Sequence, residues 1–291
     1  GHWLDDSLEH AVLARYWVIG NSTFEDAYSS NGSTILAFPF YNVDLATEDA
    51  RLVGFPNGQQ GVLSGYINVH SVSSFNGGDV LLRTPIFRDC MRRWDLVAGY
   101  QFSRQEETLE LTSTTNIQTQ PNGPIDASVT MFDQFATSNE FHGGVLGLSI
   151  QRQLACYSLD ILAKVAFGDM RQTTVIDGGT MTSTGSGAQI DPYGLYAQPT
   201  NIGTMVDNKF CVVPEVNINL GCQVCPCLKW YVGYTFIYWS TAARPGDQID
   251  RLINTTYQGP LPVGDRRPDH SRIWSHNTWL HGLNLGLEYR F

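Results

Sequence analysis

Residues 279–291 read WLHGLNLGLEYRF, and their alternation decides the fold. The odd positions are Trp279, His281, Leu283, Leu285, Leu287, Tyr289 and Phe291; the even ones are Leu280, Gly282, Asn284, Gly286, Glu288 and Arg290. Successive side chains of a strand point to opposite faces, so a period of two gives one apolar face and one small or polar face. A half-buried strand of a soluble sandwich alternates in the same way, so the decision rests on how often the pattern returns.

It returns along the whole chain. Val212, Pro214, Val216, Ile218 and Leu220 alternate with Val213, Glu215, Asn217, Asn219 and Gly221. Tyr157, Leu159, Ile161, Ala163, Val165 and Phe167 alternate with Ser158, Asp160, Leu162, Lys164, Ala166 and Gly168. Trp94, Leu96, Ala98, Tyr100 and Phe102 alternate with Asp95, Val97, Gly99, Gln101 and Ser103. Val232, Tyr234, Phe236 and Tyr238 form a further apolar face, although Ile237 and Trp239 blur its partner. Each run has about the 9–11 residues that a tilted strand needs to cross a bilayer.

Composition agrees with strands in lipid. The 291 residues are 42% hydrophobic and 12% aromatic but only 16% charged, where soluble domains carry about a quarter charged residues. Mean hydropathy is nevertheless −0.17. No segment approaches the roughly 18 consecutive apolar residues of a membrane helix, and the best candidate, 230–239, is interrupted by Gly233 and Thr235. A barrel wall reconciles the two, because its strands mix apolar and polar residues one for one. A net charge of −10 excludes the basic face of a nucleic-acid binder.

Connection lengths complete the fold class. The links at 88–93, 154–156 and 225–228 are tight, whereas 21–58, 114–127, 177–207 and 242–273 are long and rich in Gly, Ser, Thr, Asn and Pro. Short periplasmic turns opposite long extracellular loops are the plan of an outer-membrane barrel. The expectation is an all-β, antiparallel, up-and-down transmembrane β-barrel forming a single domain over 1–291. Its eight strands lie near 8–20, 60–86, 94–113, 128–153, 156–176, 208–224, 228–241 and 274–291, with Gly77 and Gly78 marking a bulge or break in the second. Trp94, Tyr157, Trp230, Tyr289 and Phe291 fall near short turns, where an interfacial aromatic girdle sits.

Several runs resemble an outer-membrane beta-barrel protein family of planctomycetes. They are Phe132-Asp133-Gln134-Phe135, NEFHGG at 139–144, SLDILAKVAFG at 158–168, AQPTNIG at 197–203, VVPEVNINLG at 212–221, VGYTFIYWS at 232–240, ARPGDQID at 243–250 and GLNLGLEYRF at 282–291. The resemblance is densest over 132–291, and ARPGDQID is its most specific run. It implies a bacterial outer-membrane location and a barrel of undefined activity. It also implies a segment ahead of Trp3 and about ten strands in the intact protein.

With the apolar faces in lipid, Asp95, Asp160, Lys164, Glu215, Asn217, Asn219, Glu288 and Arg290 point inward. A barrel of about eight to ten strands has an interior that side chains just fill. These groups would therefore pair as a polar plug, or else line a narrow conduit and set its selectivity. Leu287, Tyr289 and the terminal Phe291 resemble the signal read by barrel-assembly machinery. Cys90, Cys156, Cys222, Cys225 and Cys227 fall at the short turns, on the oxidising periplasmic side, and are candidates for disulfides. Six cysteines allow 15 pairings, between which the sequence does not choose. Cys-x-x-Cys-x-Cys lacks the second pair that a thiolate metal site needs.

In 242–273, Asp247 and Asp250 are weaker calcium candidates than parts of a rigid Pro-Gly turn capped by Asp247. Asp269, His270 and His276 raise a rim hydrolase, against the ordinary reading of solvated loop histidines. Asn21, Asn31 and Asn254 match glycosylation sequons. The resulting order is a structural or surface-interaction barrel first, a narrow porin-like channel second and a rim hydrolase third. No cofactor, metal or catalytic residue is expected. The expected partners are outer-membrane lipid, assembly machinery, and further copies or neighbouring envelope proteins.

Overall fold

The computed structural model of the chain describes residues 2–3, 10–57, 61–118, 125–225, 227–259 and 261–289. Its strands, in chain order, are β1 (His2–Trp3), β2 (Ala11–Ser30), β3 (Leu36–Asn42), β4 (Thr47–Asn57), β5 (Gly61–Arg88), β6 (Arg92–Gln118), β7 (Ala127–Leu154), β8 (Tyr157–Thr184), β9 (Gly187–Asp191), β10 (Gly203–Cys225), β11 (Leu228–Ala243), β12 (Leu252–Ile253) and β13 (Ser275–Tyr289). The helical content of the described residues is two 3₁₀ turns, Pro245–Gln248 and Thr255–Gln258.

The long strands pair antiparallel in the order β2-β5-β6-β7-β8-β10-β11-β13, each next to its neighbour in the meander. This wall also curls. Five strand spacings separate β2 from β10 along the sheet, about 24 Å if it were flat, yet Arg15 of β2 meets Glu215 of β10 at 2.8 Å. Among the described residues no backbone ladder joins the edge strands β2 and β13.

Alternation assigns the faces. On β8, Ser158, Lys164, Ala166, Met170, Gln172, Thr174 and Ile176 are buried inside, while Tyr157, Phe167 and Val175 are exposed outside. The outward apolar run spans Trp94–Phe102 on β6, Tyr157–Phe167 on β8, Phe210–Leu220 on β10, Trp230–Tyr238 on β11 and Trp279–Leu287 on β13. The band ends sharply: the next outward residues are Arg104, Asp169, Asn208, Ser240 and Asn277. Trp94, Tyr157 and Trp230 stand exposed at its short-turn rim.

Beyond the band the structure departs from the expected long loops. β5, β6, β7 and β8 run 28, 27, 28 and 28 residues, far beyond the 9–11 or so that a bilayer needs. Much of 21–58, 114–127 and 177–207 is therefore strand. Thr-rich stretches such as Thr112 to Thr115 favour extended backbone although their polarity reads as loop. Residues 36–57 fold as the β3–β4 hairpin, and β12 adds to β3 in parallel. Gly77 and Gly78 do not break β5, which keeps register with β6 at Gly77↔Ser103 and Gly78↔Phe102. The bulge lies instead on the β2 side, between Ile19 and Ser22.

Two apolar cores occupy the inside. One, level with the upper band, gathers Phe75, Leu81, Phe141, Val145, Ala166, Met170, Cys211, Val213, Ile237 and Trp239. Ile237 and Trp239 thus belong to the interior, where the Phe75 and Trp239 rings meet edge to face at 5.0 Å. The other lies toward the long-loop end and packs Phe38, Phe40, Val53, Ile67, Phe135, Ile176, Leu195, Tyr196 and Ile253.

Candidate functional site

Inside the band, five strands deliver charged and amide groups to one cluster. Lys164 Nζ contacts Asp79 at 2.6 Å, Gln101 Oε1 at 2.7 Å and Glu215 at 2.9 Å. Arg15 binds Asp79 through Nε at 3.0 Å and again through Nη2, and reaches Glu215. The Lys164 side chain has no exposed surface. Buried ions are tolerable only when paired and hydrogen-bonded in this way. Trp17 lies over the cluster, 5.8 Å from Lys164 Nζ and 5.6 Å from the Arg15 guanidinium. Gly77 makes room for it, since a Cβ there would sit 2.9 Å from the Trp17 ring.

Nearer the short turns, Asp95 is buried between Arg83 and Arg93, with Arg93 Nε at 2.8 Å and Arg83 also donating to Ser149 Oγ at 3.2 Å. Lys229 pairs with Asp160 at 3.2 Å. Asn219 donates to Asn217 Oδ1, and Thr235 Oγ1 accepts from both Asn217 and Asn284. An open cavity of about 1020 Å³ lies between the β2 and β13 edges, lined by Arg15, Asp160, Glu215, Asn217, Lys229 and Asn284 among others. The side chain of Glu288, and Arg290 and Phe291 entirely, lie outside the described residues, as does the side chain of Tyr289. Leu287 is exposed on the outer face.

The alternation on which the sequence reading relied hid Arg15 and Asp79. Arg15 shares its face with Leu13 and Trp17 in a strand that is apolar on both sides, and Asp79 follows the two glycines taken as a possible break. Arg83, Arg93 and Gln101 carried the signal that was available: polar residues in phase with Asp95 or Asp79.

The long-loop end is closed by two folded segments. In 193–202, the Asp133 carboxylate of β7 accepts backbone N–H groups of Leu195 at 3.2 Å, Tyr196 at 3.0 Å and Ala197 at 2.7 Å. Asp133 stands well beyond the apolar band; burial pushes its carboxyl up to about 6, against the pull of those three donors. Gln198 and Asn201 stitch the loop internally, to the Gly194, Leu195 and Tyr196 carbonyls. Gly194 leaves space that a Cβ would fill, 2.1 Å from Asp133 Oδ1.

In 244–274, Asn139 of β7 clamps Ala243 with both amide atoms, donating to its carbonyl at 2.8 Å and accepting its N–H at 2.7 Å. Arg244 forms a two-pronged pair with Glu107 at 2.9 and 3.0 Å. Gln248 bridges Arg244 and Trp274. Asp247 does not cap the Pro-Gly turn; its carboxylate faces His276 at 3.2 Å. Asp250 holds Leu252, Arg267 and Asp269. The two aspartates thus serve separate contacts, and the described residues contain no group of three or more His, Cys, Asp or Glu side chains able to hold a metal ion.

His270 uses both ring nitrogens, toward Thr174 Oγ1 at 2.8 Å and the Asn201 carbonyl at 3.1 Å, and burial lowers its pKa. It pins the second segment to the first. The runs Phe132 to Phe135, NEFHGG, AQPTNIG and ARPGDQID therefore supply the latches of this cap: Asp133, Asn139, Gln198, Asn201, Arg244 and Gln248.

A family model described as "Putative beta barrel porin-7 (BBP7)" matches residues 1–291. The chain belongs to the BBP7 family. This agrees with the outer-membrane barrel resemblance drawn from the sequence, and the match extends across the whole chain. No curated protein is found to match it. Membership in a β-barrel porin family accords with the outward apolar band of β6, β8, β10, β11 and β13 and with the filled opposite face.

The cysteines, all free, and the sequon asparagines lie at scattered places on this wall. Cys90 and Cys156 are exposed at short turns, Cys222, Cys225 and Cys227 are half-buried near another, and Cys211 is buried inside. The Asn254 side chain is buried and donates to the Val263 and Asp265 carbonyls, so its sequon is inaccessible to a glycan. Asn31 is exposed, and its side-chain oxygen accepts from the Ser33 N–H and hydroxyl.

Proposed function

We propose that this BBP7 chain is a bacterial outer-membrane barrel with a side-chain-filled interior, whose capped, strand-built outer end serves as a structural or surface-interaction platform. The observation that carries the reading is the cap. Two segments fold onto the inner faces of the long strands and bury Leu195, Tyr196, Ala197 and Ile253 where a channel mouth would lie. Beneath them, Lys164, Asp79, Glu215 and Arg15 occupy the interior with matched charges. The reading is non-enzymatic, since His270 is committed to Thr174 and Asn201. The partners fitted to such a platform are further copies or neighbouring envelope proteins. Two measurements test it. Planar-bilayer recordings should give no steady conductance steps, and tags inserted in 259–264 should be labelled on intact cells. Steady ohmic steps from the intact protein, or tags reachable only after lysis, would overturn it.

The alternative is a narrow conduit for small solutes. It is favoured by the porin in the family's description and by the open cavity lined with Arg15, Asp160, Glu215 and Lys229. The same recordings decide between the two. A conduit predicts conductance whose ion selectivity changes with Lys229→Gln or Asp160→Asn.

A further inference from the structure

At the short-turn end, the link between β10 and β11 brings two sulfurs together: Cys225 Sγ and Cys227 Sγ lie 3.2 Å apart. The backbone around them is set for chemistry at one of the two. The backbone N–H groups of Cys227 and Leu228 lie against Cys225 Sγ, and the two thiols share the sulfur–sulfur contact. The Cys225 carbonyl is held by the Gln223 side chain at 2.6 Å, and the Gln223 N–H binds the Cys156 carbonyl of the adjacent turn at 2.7 Å. The site lies in the turn itself, next to the exposed Val224 and to Leu228, which is in phase with the outward Trp230. Donors converging on one sulfur favour its thiolate, the form that attacks disulfides.

We propose that Cys225 and Cys227 form a thiol–disulfide exchange pair on the short-turn face, with Cys225 the attacking sulfur and Cys227 the resolving one. The substrate class is an external disulfide, carried by a small molecule or a protein. The Cys225 thiolate attacks one sulfur of that disulfide, a Cys225–sulfur bond forms, and the partner's other sulfur leaves as a thiol with the proton given up by Cys225. The Cys227 thiol, losing its proton to the second leaving sulfur, then attacks Cys225 and closes the internal disulfide. Two electrons pass from the pair to the external disulfide, which ends as two thiols. The sulfur contact and the backbone N–H groups of Cys227 and Leu228 lower the Cys225 pKa, while the sulfur contact raises that of Cys227.

The test uses the purified full chain, folded in detergent, with glutathione disulfide as probe. After acid quenching, alkylation and digestion, the peptide carrying both cysteines should appear lighter than its reduced form by two hydrogen atoms. Cys227→Ser should instead accumulate a glutathione adduct on Cys225. Cys225→Ser should form its adduct on Cys227 several-fold more slowly, because fewer backbone N–H groups support a thiolate there. Detergent gel mobility checks that both variants fold. Three results overturn the proposal. The first is a peptide that keeps two free thiols while Cys90 or Cys156 is glutathionylated; the second is pairing of Cys225 or Cys227 with Cys90, Cys156 or Cys222 instead. The third is equal adduct rates in the two serine variants.

Discussion

Lys164 Nζ lies 2.6 Å from an Asp79 carboxylate oxygen inside the wall, and neither side chain has any exposed surface. The two come from β8 and β5, which are separated by β6 and β7 in the sheet, so the contact crosses the interior. Glu215 and Arg15 balance the pair.

Replacing Lys164 with Met removes the central cation and leaves Asp79 and Glu215 to share Arg15. Breaking one side of a buried pair costs about 3–5 kcal/mol. The urea midpoint of the protein in lipid vesicles should fall accordingly. An unchanged midpoint would mean that water already solvates these groups.

The cap should loosen when Asp133 becomes Ala. Three backbone N–H groups lose their acceptor, at about 1–3 kcal/mol for each buried group left unpaired. Hydrogen exchange of Leu195, Tyr196 and Ala197 should quicken strongly while the band of β10 stays protected. Equal protection in both proteins would deny the latch its role.

Acidification should act in the opposite sense. The folded Asp133 carboxyl is pushed up to about 6, above its ordinary value of 3.8. The folded cap therefore binds the proton more tightly than the open one. Its added stability is fully present below pH 3.8 and is lost as pH rises toward 6. Exchange protection of the 195–197 amides, corrected for intrinsic rates, should be higher at pH 4.5 than at pH 7. The reverse trend would show that the donors outweigh burial.

Gly77 and Trp17 should prove coupled. Ala at position 77 places its Cβ 2.9 Å from the Trp17 ring and from the Phe102 carbonyl, and overpacking of this kind costs about 1–3 kcal/mol. Trp17→Phe removes part of the clash, so the double variant should lose less than the sum of the single changes. Strict additivity would break the explanation for the glycine.

The lipid band can be located by charge. Val216→Arg lies near the middle of the outward run of β10 and should destabilise the membrane-inserted protein by about 2–4 kcal/mol. Thr112→Arg, outward on β6 beyond Arg104, should cost roughly 0–0.5 kcal/mol as a surface change in water. Equal penalties at the two sites would place the membrane elsewhere along the strands.

Much of the wall was legible in the one-dimensional pattern. Leu283, Leu285 and Leu287, or Val216, Ile218 and Leu220, are in phase because lipid and interior select opposite sides of each strand. The cap was less legible. The segments 177–207 and 242–273 read as polar loops, because the residues that fold them, Asp133, Asn139, Gln198 and Arg244, act through contacts spanning three to 137 residues of sequence. Even ARPGDQID, the most specific run of the family resemblance, gave no hint that Arg244 would reach Glu107.

By itself, then, the sequence determined that strands with one apolar face would traverse a membrane, since that property belongs to neighbouring residues and a period of two. Tertiary structure alone decided that Arg15 meets Glu215, that Trp17 needs Gly77, and that Asp133 receives a loop 62 residues away. Those pairings depend on how far the sheet curls and which strands face each other across it, quantities set by the summed packing of the interior and carried by no local stretch of chain.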